Sequence, residues 1–272
     1  MSHDASDRLF AGSIPELYDD YLVPLIFEPC ALDLAERTAN TRPTEVLEIA
    51  AGTGAVTRQL ARRLPSATRI VATDLNVPML ERAQARGTAR AVEWRQADAM
   101  ALPFEDGSFD ALVCQFGVMF FPDKAKAFAE ARRVLRPGGT LLFNVWDRIE
   151  TSEFADVVTQ ALAGVFPQDP PRFMARVPHG YHDPDAVARD LAQGGFAAPP
   201  HVEVLAARSR AASARIPAIA YCQGTPLRNE IEARAPGGLA AATDAAASAL
   251  AERFGPGAVD GAIQALVFSV VR

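Results

Sequence analysis

The chain has 272 residues, 49% of them hydrophobic and 22% charged, which is long enough for one large domain and too apolar for a disordered one. A formal charge of -6, with no run of Lys or Arg, speaks against a nucleic-acid partner. Cys30, Cys114 and Cys222 are odd in number and far apart, which excludes a short-spaced zinc or redox motif and reads as buried thiols in a reducing compartment.

The first residues, Met1 to Arg8, carry acids where a secretory leader would carry bases before an apolar run. No apolar stretch reaches the roughly 18 residues of a membrane span, so a cytoplasmic protein without one is expected. From residue 45, short apolar runs alternate with helical periodicity, the pattern of parallel strands joined by crossover helices. Val46 to Ile49 is the first strand. Val56, Leu60, Ala61 and Leu64 then share one helical face, and Pro65 ends that helix. Ile70 to Thr73 is the second strand. Asn76 is an N-cap for a helix with Val77, Leu80 and Ala83 on one face and Gly87 at its end. Ala91 to Trp94 and Phe109 to Cys114 are the third and fourth strands, and Asp123 to Leu135 a helix. Pro137-Gly138-Gly139 reads as a tight turn into a fifth strand, Thr140 to Trp146. Residues 148–182 lack clean periodicity and read as an irregular insertion. Asp183 to Gln193 is again a helix, Val202 to Ala206 a sixth strand, 211–254 an alanine-rich helical stretch and Leu266 to Val271 a last strand.

The loop after the first strand carries the chemistry. Glu48-Ile49-Ala50-Ala51-Gly52-Thr53-Gly54 runs from a strand into a helix, where glycines admit a ligand to the backbone and the helix start offers free N–H groups. A dinucleotide fingerprint would place a third glycine at position 57, where this chain has Thr57, so nicotinamide and S-adenosylmethionine remain equal readings of the loop alone. Asp74, twenty positions after Gly54, can accept hydrogen bonds from both hydroxyls of a ribose, or can cap the helix at Asn76. Asp98, in Gln96-Ala97-Asp98-Ala99 after the third strand, breaks the tie, because a carboxylate there can accept the exocyclic amine of adenine.

Taken together, Leu47-Glu48-Ile49 with Gly52-Thr53-Gly54, Thr73-Asp74, Ala97-Asp98-Ala99, Pro103-Phe104 with Phe109-Asp110, and Arg133 to Gly139 make residues 45–147 resemble the class I S-adenosylmethionine-dependent methyltransferases. The likeness is to the small-molecule branch that includes ubiquinone and menaquinone biosynthesis enzymes. The resemblance implies a doubly wound, Rossmann-like α/β fold: a mostly parallel sheet of about seven strands with helical cap insertions. It implies one methyltransferase domain over 1–272, with a helical lid at 1–44, a cofactor-binding core at 45–147 and substrate caps at 148–182 and 211–254. By the same resemblance S-adenosylmethionine is the cofactor. Backbone at Ala50, Gly52 and Gly54 would meet its methionine portion, with Glu48 organising the loop. Asp74 would meet the ribose, Leu75 and Met79 the adenine face, Asp98 and Ala99 the adenine edge, and Gln115 and Phe116 the sulfonium methyl. The family often has glycine where this chain has Ala50. Tyr18, ahead of Tyr21, is the lid residue placed to donate to the cofactor carboxylate, unless both tyrosines only pack.

A sulfonium supplies an already activated methyl, so no dedicated catalytic base is required and none is assigned. Of the four histidines, His3 sits in the N-terminal tail and His201 adjoins a strand, which leaves His179 and His182 as candidate bases; their stretch also reads as a turn capped by Asp183. Phe120, Phe121, Trp146, Phe154, Phe166, Phe173 and Tyr221 are the aromatics available to line a pocket for a ring-bearing or lipid-like small-molecule acceptor. Gln115-Phe116-Gly117 follows the fourth strand where nucleic-acid amino methyltransferases carry Asn/Asp-Pro-Pro-aromatic. A nicotinamide oxidoreductase and a non-catalytic S-adenosylmethionine-binding protein are the alternatives. No metal site is expected.

Overall fold

The computed structural model describes residues 7–8 and 10–272. In chain order it contains α1 (Ile14–Leu17), a π-helical segment (Tyr18–Phe27), α2 (Glu28–Asn40), β1 (Glu45–Glu48), α3 (Ala55–Arg63), β2 (Arg69–Asp74), α4 (Val77–Arg86) and β3 (Glu93–Gln96). There follow β4 (Phe109–Gln115), α5 (Lys124–Val134), β5 (Leu135–Trp146), α6 (Glu153–Val165), α7 (Phe173–Arg176), α8 (Pro184–Gln193), β6 (His201–Ala211), α9 (Arg215–Gln223), α10 (Leu227–Arg234), α11 (Leu239–Phe254) and β7 (Val259–Val271). Single 3-10 turns occupy Val118–Phe120 and Ile149–Thr151.

The strands form one seven-stranded sheet in the order β3-β2-β1-β4-β5-β7-β6. β1 pairs in parallel with β2 and β4, β2 with β3, and β4 with β5, while β7 runs antiparallel to β5. The expected doubly wound, mostly parallel sheet is therefore present. The strand order reverses between β1 and β4, and in such sheets the crevice beyond the carboxyl ends at that point is where ligands bind.

The chain divides into two compact units. One comprises Glu28–Trp146, Tyr181–Leu205 and Ala265–Arg272. Its core joins Ala31, Leu34 and Ala35 of α2, Val56, Leu60 and Ala61 of α3 and Leu64 just beyond it to Val46, Ile70, Ala111, Val113 and Leu142 of the strands. Val56, Leu60, Ala61 and Leu64, read from the sequence as one helical face, are thus in the core, whereas Val77, read as part of the next such face, is exposed. The other unit comprises Met1–Phe27, Asp147–Gly180 and Ala206–Gln264. Here Phe154 of α6 meets Phe254 of α11 edge to face at 4.9 Å, and a Cβ on Gly261 would stand 2.8 Å from the Phe154 ring. Arg176 bridges Asp7 and Glu230 in the same unit, at 2.5 and 2.8 Å.

Three expectations shift. The stretch 148–182 is not irregular throughout: its prolines all follow a thirteen-residue helix, α6, whose Phe154, Ala155, Val158 and Leu162 are buried. The third strand lies two residues later than expected, at Glu93–Gln96, because register with Val71 to Asp74 of β2 decides which residues pair. The turn at Pro137-Gly138-Gly139 sits inside β5 rather than before it. Phe109 pairs with Leu135 but Ala111 pairs with Thr140, so the intervening residues bulge out, with Gly138 at φ +80°.

That bulge is anchored. Asp110 Oδ2 accepts from Thr44 N–H (2.8 Å), the Thr44 hydroxyl (2.6 Å) and Glu45 N–H (2.9 Å), and Asp110 Oδ1 accepts from Arg136 Nη1 at 2.5 Å. A Cβ on Gly139 would stand 2.9 Å from Arg136 O and 3.0 Å from Asp110 O, so only glycine passes there. Against the upward push of its partial burial, the Thr44 and Arg136 bonds hold the Asp110 carboxyl down to about 2. With the folded value below the unfolded value of about 3.9, the stabilisation is full above that value and is lost as pH falls toward 2. Asp110→Ala is expected to lower unfolding free energy by about 1–2 kcal/mol at neutral pH, an amount kept modest by solvent screening. Denaturant melts of both proteins should converge as the pH drops toward 2; a gap that stays constant down to that pH would refute the assignment.

Candidate functional site at the carboxyl ends of β1, β2 and β4

The loop from Glu48 to Gly54 is held by the strands on either side. Ile49 N–H donates to Val113 O and Ala51 N–H to Thr73 O, both at 2.9 Å, so the chain leaves β1 still clamped between β4 and β2. Ala50 and Gly52 both take positive φ, +53° and +57°, and Gly54, the residue before α3, takes +83°. These turns aim the loop backbone outward just before the α3 amino terminus, where free N–H groups are available. A Cβ on Gly54 would come 3.1 Å from the Trp94 ring, so position 54 is closed to other residues by sterics as well as by φ.

Two buried acids organise this loop. Asp74, at the end of β2, accepts from Gly52 N–H through Oδ2 at 2.8 Å and from Asn76 N–H through Oδ1 at 2.8 Å. The structure therefore gives Asp74 a loop-holding role beside the two weighed from sequence, and it caps the start of α4 in place of the Asn76 side chain, which makes no capping bond. Oδ2 retains a lone pair for a further donor. Burial raises the Asp74 pKa, opposed by its bonds from Asn76 and Gly52. Glu48, at the end of β1, is 1% exposed and accepts the Thr57 hydroxyl at 2.6 Å. Burial pushes its carboxyl up to about 8, against the Thr57 bond and the charge of Arg58.

On the β4 side, Phe116 also has positive φ, +50°, and its N–H donates to Asn144 Oδ1 at 3.0 Å. Its ring stacks on Trp146 with centroids 3.8 Å apart and planes 5° from parallel. Gln115 is half-buried one residue earlier. Gly117 closes the arrangement: a Cβ there would lie 2.5 Å from Ala50 Cβ and 2.8 Å from Cys114 Sγ. Thus Ala50 and Gly117 meet directly at the switch point of the sheet.

The remaining expected residues are placed as follows. Leu75 is 44% exposed, an apolar side chain left open beside Asp74, while Met79 is buried in α4. Asp98 and Ala99 are half-buried beyond β3, and Asp98 Oδ1 accepts Met100 N–H at 2.9 Å. Tyr18 belongs to the other unit, where its ring stacks on Phe27 at 4.9 Å and meets Phe10 edge to face. In that unit His179 is buried and its Nδ1 donates to Asp147 O at 2.7 Å. His182 is exposed, and His3 lies outside the described residues. Phe154, Phe173 and Tyr221 are fully buried, which removes them as open pocket walls. Among the described residues no three His, Cys, Asp or Glu side chains gather as metal ligands, and no helix is long and apolar enough to cross a membrane.

Four contributors escaped the sequence reading. Thr57 stood out only as a missing glycine, yet it is the hydroxyl donor to Glu48. Asn144 was legible as a polar residue inside an apolar strand. Trp94 and Gly117 carried no local signal, because their contacts with Gly54 and Ala50 come from other strands.

Ala50 in the left-handed region carries a steric cost of about 1–2 kcal/mol that glycine would relieve, against about 0.5–1 kcal/mol of added backbone entropy. Ala50→Gly is therefore expected to raise stability by up to about 1 kcal/mol, whereas Gly117→Ala, which meets Ala50 and Cys114, should lower it by at least about 2 kcal/mol. Thermal melts of the two variants check both signs; a destabilising Ala50→Gly would contradict this account of the loop.

Residues 47–143 match the family model described as methyltransferase domain. Over 114 residues the chain is 45% identical to a demethylmenaquinone methyltransferase of Thermus thermophilus, an alignment covering 41% of this chain and 50% of that protein. The chain thus spans about half the length of this curated relative. In fold it is similar to a phosphoethanolamine N-methyltransferase 2 of Haemonchus contortus in complex with S-adenosyl-L-methionine, with a TM-score of 0.59 at 20% identity, covering 99% of this chain and 59% of that one. It is also similar to the [4+2]-cyclase SpnF, with a TM-score of 0.53 at 20% identity, covering 90% of this chain and 81% of that one. Residues 47–143 of this chain thus match a methyltransferase domain, and the seven-stranded sheet that carries them has the fold of the neighbours named above.

Proposed function

We propose that the protein transfers a methyl group from S-adenosylmethionine to a small-molecule acceptor. The observation that carries this reading is the Asp74–Gly52 hydrogen bond at 2.8 Å, which holds a glycine loop open at the strand switch point next to an exposed Leu75. Backbone at Ala50, Gly52 and Gly54 would receive the methionine portion and the spare Asp74 lone pair a ribose hydroxyl. Leu75 and Met79 would face the adenine ring, with Asp98 and Ala99 at its edge, and Gln115 and Phe116 would stand near the methyl. When bound, the cofactor supplies a methyl group already activated on a positive sulfur. The protein's part is to hold the acceptor in line and keep water away, which the buried Phe116–Trp146 stack suits.

The acceptor class we infer is ring-bearing or lipid-like. The Thermus relative named for demethylmenaquinone supports a quinone, and the chain's net charge of -6 argues against nucleic acid. A cytoplasmic location is part of this proposal, in keeping with three buried cysteines that form no disulfide. The likeness to a protein described as a cyclase favours a second reading, in which the fold holds the cofactor without methyl transfer.

Titration calorimetry should show binding of S-adenosylhomocysteine and none of NADH, with Asp74→Ala weakening the former at least about tenfold, equal to about 1.4 kcal/mol. A radiolabel transfer screen over quinones, phenols, amines and carboxylates should give product with a ring-bearing acceptor. Tight NADH binding without S-adenosylhomocysteine binding would overturn the proposal, and binding without product across the panel would favour the second reading.

A further inference from the structure

Glu48 is a buried carboxyl in an unusual position. Its Oε2 accepts the Thr57 hydroxyl of α3, the Thr57 backbone N–H also supports its charge, and no Lys, Arg or His forms an ion pair with it among the described residues. The groups around it come from three elements. From α3, Arg58 acts on it at longer range, with its Nη1 donating to Thr53 O at 2.6 Å. At the end of β2, Asp74 is a second buried acid, and two backbone N–H donors already support its charged form. From β4, Cys114 is buried, and that burial raises its thiol to about 12, so it adds no charge at neutral pH. Two acids without an ion pair in one interior cannot both be charged cheaply. Asp74 draws its donors from both Gly52 and Asn76, whereas those of Glu48 come from Thr57 alone.

We propose that Glu48 holds a proton in the free protein and releases it to solvent when a cationic ligand occupies the loop, so that this residue selects the charged sulfonium over the neutral thioether product. The inference rests on the reading of the loop as an S-adenosylmethionine site. S-adenosylmethionine carries a sulfonium and an ammonium against one carboxylate, a net charge of +1; S-adenosylhomocysteine carries no net charge. The field of the extra positive charge favours the ionised Glu48, and the proton goes to the buffer. The shift of Glu48 to about 8 sets the range over which this operates. Below that pH, ionising Glu48 opposes cofactor binding, and each unit of rise in pH removes up to about tenfold of that opposition. Above it, affinity levels off. Discrimination against product therefore grows as pH rises toward about 8. Glu48 acts as a positioning residue for charge and forms no bond to the reacting carbon.

The test is titration calorimetry of the whole chain with S-adenosylmethionine and with S-adenosylhomocysteine, in phosphate and in Tris, at several pH values between about 6 and 8.5. Buffer-dependent heats report the protons released. The wild type should release more protons with S-adenosylmethionine than with S-adenosylhomocysteine, and its preference for the former should rise by up to about tenfold per pH unit. The cofactor's own α-amine titrates near about 8, so Glu48→Gln supplies the reference: it should keep the amine's contribution and lose the rest. Thr57→Val, which removes the donor favouring the charged carboxyl, should move the rise to higher pH and serves if Glu48→Gln does not fold. Equal proton release for both ligands, or the same pH profile in wild type and Glu48→Gln, would refute the proposal while leaving the cofactor site standing. Failure of the wild type to bind either ligand at any pH would remove the methyltransferase reading and this inference together.

Discussion

The hydrogen bond from Gly52 N–H to the Asp74 carboxylate fixes the end of one strand to the loop of the next, and the geometry of the site depends on it. On the β2 side it acts together with the Ala51 N–H bond to Thr73 O to hold the turn that Ala50, Gly52 and Gly54 take with positive φ. With it, the N–H groups of Ile49, Ala51, Gly52 and Gly54 are all bonded within the protein, and the loop is held in one conformation. The β4 side supplies the matching constraint. Phe116, held in the left-handed region by Asn144, and Gly117, in contact with Ala50, leave no slack at the switch point. Ala50 and Phe116, two non-glycine residues held in a conformation that costs energy just beyond adjacent strands, are the kind of stored strain that a binding site tolerates.

The motifs that make the chain recognisable divide between the two ends of the sheet. Glu48, Gly52, Asp74 and Gln115-Phe116 stand at or beyond the carboxyl ends of their strands. Phe109-Asp110 and Arg136 to Gly139 lie at the opposite end, where Asp110 gathers Thr44, Glu45 and Arg136 and where Gly139 lets the bulged chain pass. Those residues do not touch the site. They set the start of β4 and β5 in register, and register at one end fixes which residues emerge at the other, since a slip of one would turn every side chain to the wrong face. A family signature of this kind reports a scaffold as much as a chemistry.

Glu48 and Asp74 also show why buried acids need to be read with their partners. Both lie in the interior and burial lifts both. Asp74 is compensated by donors from Gly52 and Asn76 and serves as an acceptor, whereas Glu48, supported from Thr57 alone, is pushed up to about 8. The same loop therefore contains a fixed acceptor and a group sensitive to the charge of what arrives.

By itself the sequence determined the alternation of strands and helices, the apolar faces that cover the sheet and the position of the glycine loop, because each depends on periodicity or on backbone freedom within a few residues. Val56, Leu60 and Ala61 are buried as their spacing requires. It placed Asp74 and Glu48 at strand ends for the same local reason. What it could not carry were contacts between segments distant in the chain. The late start of β3, the bulge inside β5, the Thr57 bond to Glu48, the Asn144 bond to Phe116 and the Ala50–Gly117 contact are decided by which strands lie side by side. Position 57 is the plainest case. In the sequence it is an absent glycine; in the folded protein its hydroxyl is bonded to the buried Glu48, and only packing α3 against β1 could bring the two together.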